Sequence, residues 1–303
     1  MSEISKEIRQ IFSTAGYNFR QWHKNPRIII TFLLAFILCF LLSDKAVAFA
    51  KAHDTTLQIM EPFIWTFGDS NSILLSSLLL LLLFADLPYL SAGTPFYLMR
   101  MKRRTWVLGQ LLYTAASVSI YMIFIFLSTA LVCMTQAFPA NMWSRTAAIL
   151  GYSGEGEAIA LPALVKTLEM SHPYECAASI FLLMLLYALV MAFLLLFFRI
   201  WKGHTAGIVS VFAFTVFGFL LNPENLKNLF RLPAELAYKA RVWVGWLSPL
   251  NQATYHMHNF GYDLLPRLWQ TYLLFGGLLL MLLICNLLAV RHYNFHFRGT
   301  EVL

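Results

Sequence analysis

The chain has 303 residues, 59% hydrophobic and only 12% charged, with a mean hydropathy of +0.65. Soluble domains carry about a quarter charged residues, so this composition excludes an ordinary soluble domain and implies a polytopic membrane protein. The net charge of +7 does not imply nucleic acid, because the cations stand beside apolar runs in the positive-inside pattern.

Residues 4–24 come first. Ile8, Ile11, Phe12, Ala15, Phe19 and Trp22 fall at helical spacing, with Lys6, Arg9, Arg20 and Lys24 on the remainder. The pattern predicts an amphipathic elbow helix over 1–26, lying along the cytoplasmic leaflet. A solvated helix would leave Phe and Trp wet. The first 27 residues are polar and amphipathic, and the first apolar run lies too deep to be the core of a cleavable signal. Asn25-Pro26 supplies a cap and a first-turn proline. A first span follows over about 27–42 or longer.

A loop of about 30 residues with Asp44, Asp54, Glu61 and Asp69 leads to a second span over about 72–90. Asp86 is the acid inside that run. It reads as a proton relay or substrate contact, or as an interfacial partner for the cations of 100–104, and the second reading is preferred. Between this run and the next lies Ser91-Ala-Gly-Thr-Pro-Phe-Tyr-Leu-Met-Arg-Met-Lys-Arg-Arg104. Thr94 is placed to cap a helix whose first residue is Pro95, with room for roughly two turns to about Lys102. Phe96, Tyr97, Met99 and Met101 give this segment adhesive surface. Arg100, Lys102, Arg103 and Arg104 hold it at the cytoplasmic side.

The third span covers about 106–134, with Gln110 one turn in. An outside segment, 135–175, contains Glu155 and Glu157 in a glycine-rich turn, which reads as solvated in preference to a carboxylate site. The fourth span is 177–198, and Arg199-Ile-Trp-Lys-Gly-His204 forms a tight cytoplasmic turn into the fifth, 205–221. Gly203 and Gly207 have the spacing that permits close helix approach, a pattern also frequent by chance. Residues 222–270 form a second outside segment, aromatic and partly basic, whose helices are expected to dip into the outer leaflet. His256 and His258 are two apart and cannot share a helix face, so metal binding is not expected. The sixth span is 272–290, and a cationic tail begins at Arg291. Cys39, Cys133, Cys176 and Cys285 sit in or beside apolar runs and read as small hydrophobes.

Six spans put both termini on one side. Most cations then fall inside and most acids outside, which makes that side the cytoplasm. The chain has no Gly-Lys dipeptide and therefore no P-loop, no His-Glu-x-x-His and no Gly-x-Ser-x-Gly. Its halves show no evident repeat, against a secondary transporter. No enzyme activity is expected within the chain.

An elbow, six spans, a basic helix between spans two and three and a large outer segment before the last span resemble the ABC-2 type permeases. Gly93-Thr94, Arg100, Arg103-Arg104-Thr105-Trp106 and Leu108-Gly109-Gln110 are similar to that family's Gly-Thr, Ser-Arg and Leu-Gly-Lys pattern. Leu247-Ser-Pro-Leu-Asn251 resembles its outer proline motif. Leu87–Ser91 departs from the family's acidic-basic run, and Gln110 stands where a lysine is common.

The resemblance implies an all-α integral membrane fold of ABC-2, type V exporter-like architecture, as the permease subunit of an exporter in a bacterial cell membrane. Two copies of a cytosolic ABC ATPase would carry the ATP and Mg, with no cofactor in this chain. A second permease subunit, the same or homologous, would complete the path, in contact with membrane lipid. The substrate would be amphipathic or hydrophobic: an antimicrobial peptide, a drug or a lipid-like molecule. Thr94, Pro95, Phe96, Tyr97, Met99, Arg100 and Met101 would couple to the ATPase, while Lys102, Arg103, Arg104, Arg199 and Lys202 would lie at the headgroups. The alternatives are a non-transporting assembly or sensor subunit, and an integral-membrane enzyme using Asp86 or His256.

Overall fold

Local sequence decides where most helices begin. The structure, a computed structural model, describes residues 3–90, 94–159, 161, 163–231, 233, 236–261 and 263–293, without the side chains of Tyr97, Glu157, Ala158, Glu224 and Ala237. The amphipathic segment forms α1 (Glu3–Arg20). Asn25 then caps α2 (Pro26–Ala52), its side chain accepting from the Arg27 N–H at 3.2 Å, with Pro26 in the first turn as anticipated. Helix α2 runs ten residues past Leu42. The Ala-rich stretch 46–52 favours helix, Asp44 and Lys45 stay exposed, and Ser43 and Ala46 are buried.

The loop after α2 is correspondingly short. A two-residue strand β1 (Leu57–Gln58) pairs in parallel with β2 (Ala137–Phe138). Helix α3 (Glu61–Phe67) then meets α4 (Ser70–Leu83) at an 85° bend, and Asp69 caps α4 through the Asn71 N–H. After α5 (Thr94–Leu98) comes α6 (Arg103–Cys133), followed by the short α7 (Arg145–Tyr152), α8 (Glu155–Ala158) and α9 (Val165–Met170). Pro173 opens α10 (Pro173–Lys202), and the single residue Gly203 joins it to α11 (His204–Leu220). Helices α12 (Pro223–Leu229), α13 (Ala237–Leu247) and α14 (Pro249–Ala253) precede the last long helix, α15 (Leu268–Ala289).

Helix accounts for about 78% of the structure, which makes it all-α. Four helices, α2, α6, α10 and α15 with its 3-10 extension, are long and apolar enough to cross a membrane, and the bent pair α3–α4 makes five if it counts as one span. Helix α11 is apolar but has 17 residues, shorter than those four. The core sits on α10, whose Ile180, Leu183, Met184, Tyr187, Leu195 and Leu196 are buried against α11, α15 and α6. Apolar residues such as Leu33, Phe40, Leu127, Phe212 and Leu273 remain exposed around the outside, which is compatible with a lipid surround.

The bundle has two chemically different ends. At one end Glu61, fully buried, accepts from the Gln58 N–H (3.0 Å), the Ser144 N–H (2.7 Å) and the Ser144 hydroxyl (2.6 Å), tying α3 to the start of α7. There too Lys166 meets Asp263, and His256 Nδ1 donates to the Gly68 carbonyl at 3.1 Å. The other end gathers α1, residues 84–90 and 94–104, the α10–α11 turn and the end of α15, and with them a concentration of cations.

Candidate functional site

The basic end is built on the turn that follows α4. Its carbonyls at Phe84, Ala85 and Leu87 leave the helix without intrahelical partners. Arg199, near the end of α10, reaches all three with Nη1, at 2.8, 2.9 and 2.6 Å. A guanidinium at a helix C-terminus also meets the negative end of the helix dipole. Arg199 is buried, so its expected headgroup contact gives way to a capping role inside the protein. The fit depends on Gly207 of α11, since a Cβ there would stand 2.3 Å from Arg199 Cγ. Gly203 serves the turn, and only Gly207 makes a close approach. Lys202 stays exposed over the Trp201 ring, 4.9 Å from its centroid.

Asp86 lies in the same turn, beyond the end of α4 rather than within a span. Its partners are Arg27 Nη1 at 2.6 Å and Asn25 Nδ2 at 3.2 Å. The expected pairing at this site is present, but with the foot of α2 instead of residues 100–104.

Helix α1 is fastened to α6 by its small and polar side. Gly109 lets the two backbones close, because a Cβ there would stand 2.7 Å from Thr14 Cβ. Beside it Asn18 Nδ2 donates to Gln110 Oε1 at 3.0 Å, and Gln110 Nε2 donates to the Tyr89 carbonyl at 3.3 Å. One buried amide thus joins α1, α6 and the turn before α5. The apolar elbow residues divide in two. Phe19 and Trp22 pack on Tyr113, with the Trp22 Nε1–H donating to its hydroxyl at 3.0 Å, and Ile11 is half-buried. Ile4, Ile8 and Phe12 form the exposed stripe.

Helix α5 is shorter than expected. It starts at Thr94 and ends at Leu98, so Thr94 is its first residue and Pro95 its second. The chain turns at Met99–Arg100, and Lys102 is extended (φ −70°, ψ 145°) as the cap of α6. Helix α1 holds this segment open, because Gln10 Nε2 donates to the Arg100 carbonyl at 3.3 Å and Thr14 Oγ1 approaches Met101 Sδ at 3.9 Å. Lys102 Nζ meets Glu7 at 2.7 Å and Glu3 at 3.3 Å. Arg103 Nη1 donates to the Arg291 and Tyr293 carbonyls at 3.0 and 3.1 Å, joining the segment to the end of α15. Lys102 and Arg103 therefore bind other parts of the chain while remaining exposed, as Arg104 also is.

The outward side of this segment is apolar: Phe96 is 69% and Met99 78% exposed, whereas Thr94 is buried. Gly93 and Ser91 lie outside the described residues, as do the Tyr97 side chain and Arg298 of the tail. Two exposed apolar side chains precede a stretch held by Gln10, Thr14, Lys102 and Arg103. That arrangement suits contact with another macromolecule.

At the opposite end the histidines have separate partners. His258 Nδ1 faces the Thr254 and Tyr255 carbonyls (both 3.1 Å) and Nε2 faces the Thr271 hydroxyl (3.0 Å), while His256 bonds to Gly68. Burial lowers both imidazole pKa values, that of His258 to about 4. Glu155 lies 3.7 Å from His53, an exposed contact. The sequence reading missed the capping by Arg199, the Arg27 partner of Asp86 and the polar side of α1. The buried-spacing signal for the last was present in Thr14 and Asn18, four apart. Compared with known proteins, the chain matches no family model, no curated sequence and no solved structure.

Proposed function

We propose that this protein is the transmembrane permease subunit of an ATP-driven exporter of the ABC-2 type. In this reading α11 completes six spans, both termini face the cytoplasm, and the basic end meets a cytosolic ATPase. Each of two permease subunits engages one ATPase copy, and the pair encloses the path of an amphipathic or hydrophobic substrate. ATP and Mg belong to the ATPase. The observation that carries the reading is the exposure of Phe96 and Met99 on a segment whose residues 100–103 are tied to α1 by Gln10, Thr14 and Lys102 and to the end of α15 by Arg103.

Binding hot spots are dominated by a few large side chains whose truncation costs about 2 kcal/mol or more. Changing Phe96 and Met99 together to Ala should therefore lower ATPase recovered per inserted permease by at least about tenfold, while membrane insertion stays normal. The assay co-expresses the chain with the products of its neighbouring genes and measures the ATPase that co-purifies with it in detergent. Full recovery of the complex with the double variant would remove the main support for the exporter reading and favour an assembly or sensor subunit.

A further inference from the structure

The side of α1 that faces the segment after α5 encloses a cleft of about 180 Å³, lined by Gln10, Ser13, Thr14, Tyr17, Arg100 and Met101. Its wall contains hydroxyls, an amide and one guanidinium, and no carboxylate. Thr14 and Gln10 are already used in holding residues 100–101. Among the described residues, the Ser13 hydroxyl and the Arg100 guanidinium have no protein partner. These are the donors that recognise an oxyanion, and a guanidinium fork matches two oxygens of a phosphate.

The surroundings favour the same charge. Lys6, Arg9, Ser13 and Arg20 fall along one exposed flank of α1 at spacings of three, four and seven, the helical repeat of one surface. Among the described residues none of these three cations has an ion-pair partner. The flank lies beside the exposed stripe Ile4, Ile8 and Phe12. A helix that sinks this stripe into the acyl boundary brings its basic flank to headgroup depth. The two acids of the first turns, Glu3 and Glu7, are engaged by Lys102.

We infer that the cleft between α1 and residues 100–101 is a binding site for a phosphate group, held by Arg100 and Ser13. The inference rests on the proposed function only in placing this end at the cytoplasmic leaflet. The phosphate comes from an anionic lipid headgroup or from a soluble phosphate ester. In either case its seat bridges the elbow helix and the segment that carries Phe96 and Met99. Occupancy would stiffen the attachment of that segment to α1.

The test uses the full-length permease alone in a neutral maltoside detergent at low salt. Isothermal titration with dihexanoyl phosphatidate, dihexanoyl phosphatidylcholine and inorganic phosphate reads binding directly. Saturable binding of phosphatidate is expected, weakened at least about tenfold in Arg100→Gln and by less than about twofold in Arg104→Gln, which removes an equal charge outside the cleft. Inorganic phosphate that binds with the same dependence on Arg100 identifies a soluble anion as sufficient, and phosphatidate binding without it identifies the headgroup. No saturable binding of any of the three probes overturns the proposal, and so does equal weakening by the two arginine variants, which would mean diffuse attraction. Ser13→Ala changes an exposed hydroxyl and keeps the test decisive if Arg100→Gln does not fold. It should weaken binding about threefold, and unchanged affinity counts against the site. With no ATPase present, failure here leaves the coupling reading standing, and loss of coupling leaves this site standing.

Discussion

At the scale of residues, the basic end separates cations that brace the fold from cations that decorate it. Arg199 is buried and supplies three hydrogen bonds to carbonyls that have no other helix partner. Removing it strands the Ala85 and Leu87 carbonyls, while that of Phe84 keeps the Leu87 N–H at 3.1 Å, and a buried unsatisfied group costs about 1–3 kcal/mol. Arg199→Met should lower stability by about 3 kcal/mol, read as a drop in the thermal midpoint in detergent. A variant as stable as the parent would show that water satisfies the turn. Arg199→Lys should rescue only part, since an ammonium lacks the planar fork.

The Arg27–Asp86 pair is a different case, because both side chains are close to half exposed, at 47% and 41%. Exposed pairs contribute about 0–1 kcal/mol. Asp86→Asn should therefore cost little stability, and transport should stay insensitive to the proton gradient. Abolished transport in a well-folded Asp86→Asn protein would restore the relay.

His258 connects burial to pH. Burial holds its pKa at about 4, against about 6.5 for a free imidazole. Between those values the unfolded chain takes up a proton that the folded chain refuses, so stability falls as pH drops from about 6.5 to about 4. His256 acts in the same direction, with burial as the first cause. The thermal midpoint measured from pH 7 to pH 4.5 should decline, and less steeply in His258→Gln. Identical slopes would exclude His258 as the origin.

At the scale of elements, α1 is amphipathic in an uneven way. Its apolar spacing was legible in the sequence, but Ile8 and Phe12 stay exposed while Phe19 and Trp22 turn onto Tyr113. The contact that decides this is the Gly109–Thr14 approach. A valine at 109 would overfill it. Gly109→Val should release α1 from α6 at a cost of about 1–3 kcal/mol, with the long helices still inserted. Limited proteolysis in detergent should then cut between α1 and α2 at least several-fold faster. An unchanged cleavage rate would mean that the Asn18–Gln110 bond alone holds the elbow. Helix α5 shows the reverse dependence: its proline start is local, whereas its end at Leu98 reflects the hold of Gln10 and Thr14 on residues 100–101.

At the scale of the whole molecule, the two ends differ in what ties them. Contacts at the basic end join α1 to α6, the start of α6 to the end of α15, and α10 to the turn after α4. The end carrying Glu61 and Ser144 is closed by its own hydrogen bonds. The proposed orientation places the latter outside. In a protein with Cys285, the half-buried thiol, replaced by Ala, a cysteine at the exposed position Asn141 should react with an impermeant maleimide in intact cells. One at Arg104 should react only after permeabilisation. Labelling at position 104 from outside would reverse the orientation and remove the coupling argument.

Hydropathy and spacing determined, without any structure, that this chain is helical with several runs apolar enough to cross a membrane, where α2 starts, and that α1 is amphipathic, whereas α10 begins at Pro173, four residues before the expected span. Those properties follow from neighbours within a few turns, through burial periodicity, proline placement and caps. The tertiary structure decided how far α2 extends, where α4 and α5 stop, and which cations are spent on the fold. Arg199 and Leu87 are 112 residues apart, and Arg103 and Tyr293 190 apart. A charged residue beside an apolar run reads the same in sequence whether it meets lipid headgroups or buried carbonyls. Only the packing of distant helix ends supplies the acceptors that bury Arg199 and leaves Arg100 without an ion-pair partner among the described residues, because desolvating a cation is offset only where fixed partners converge on it.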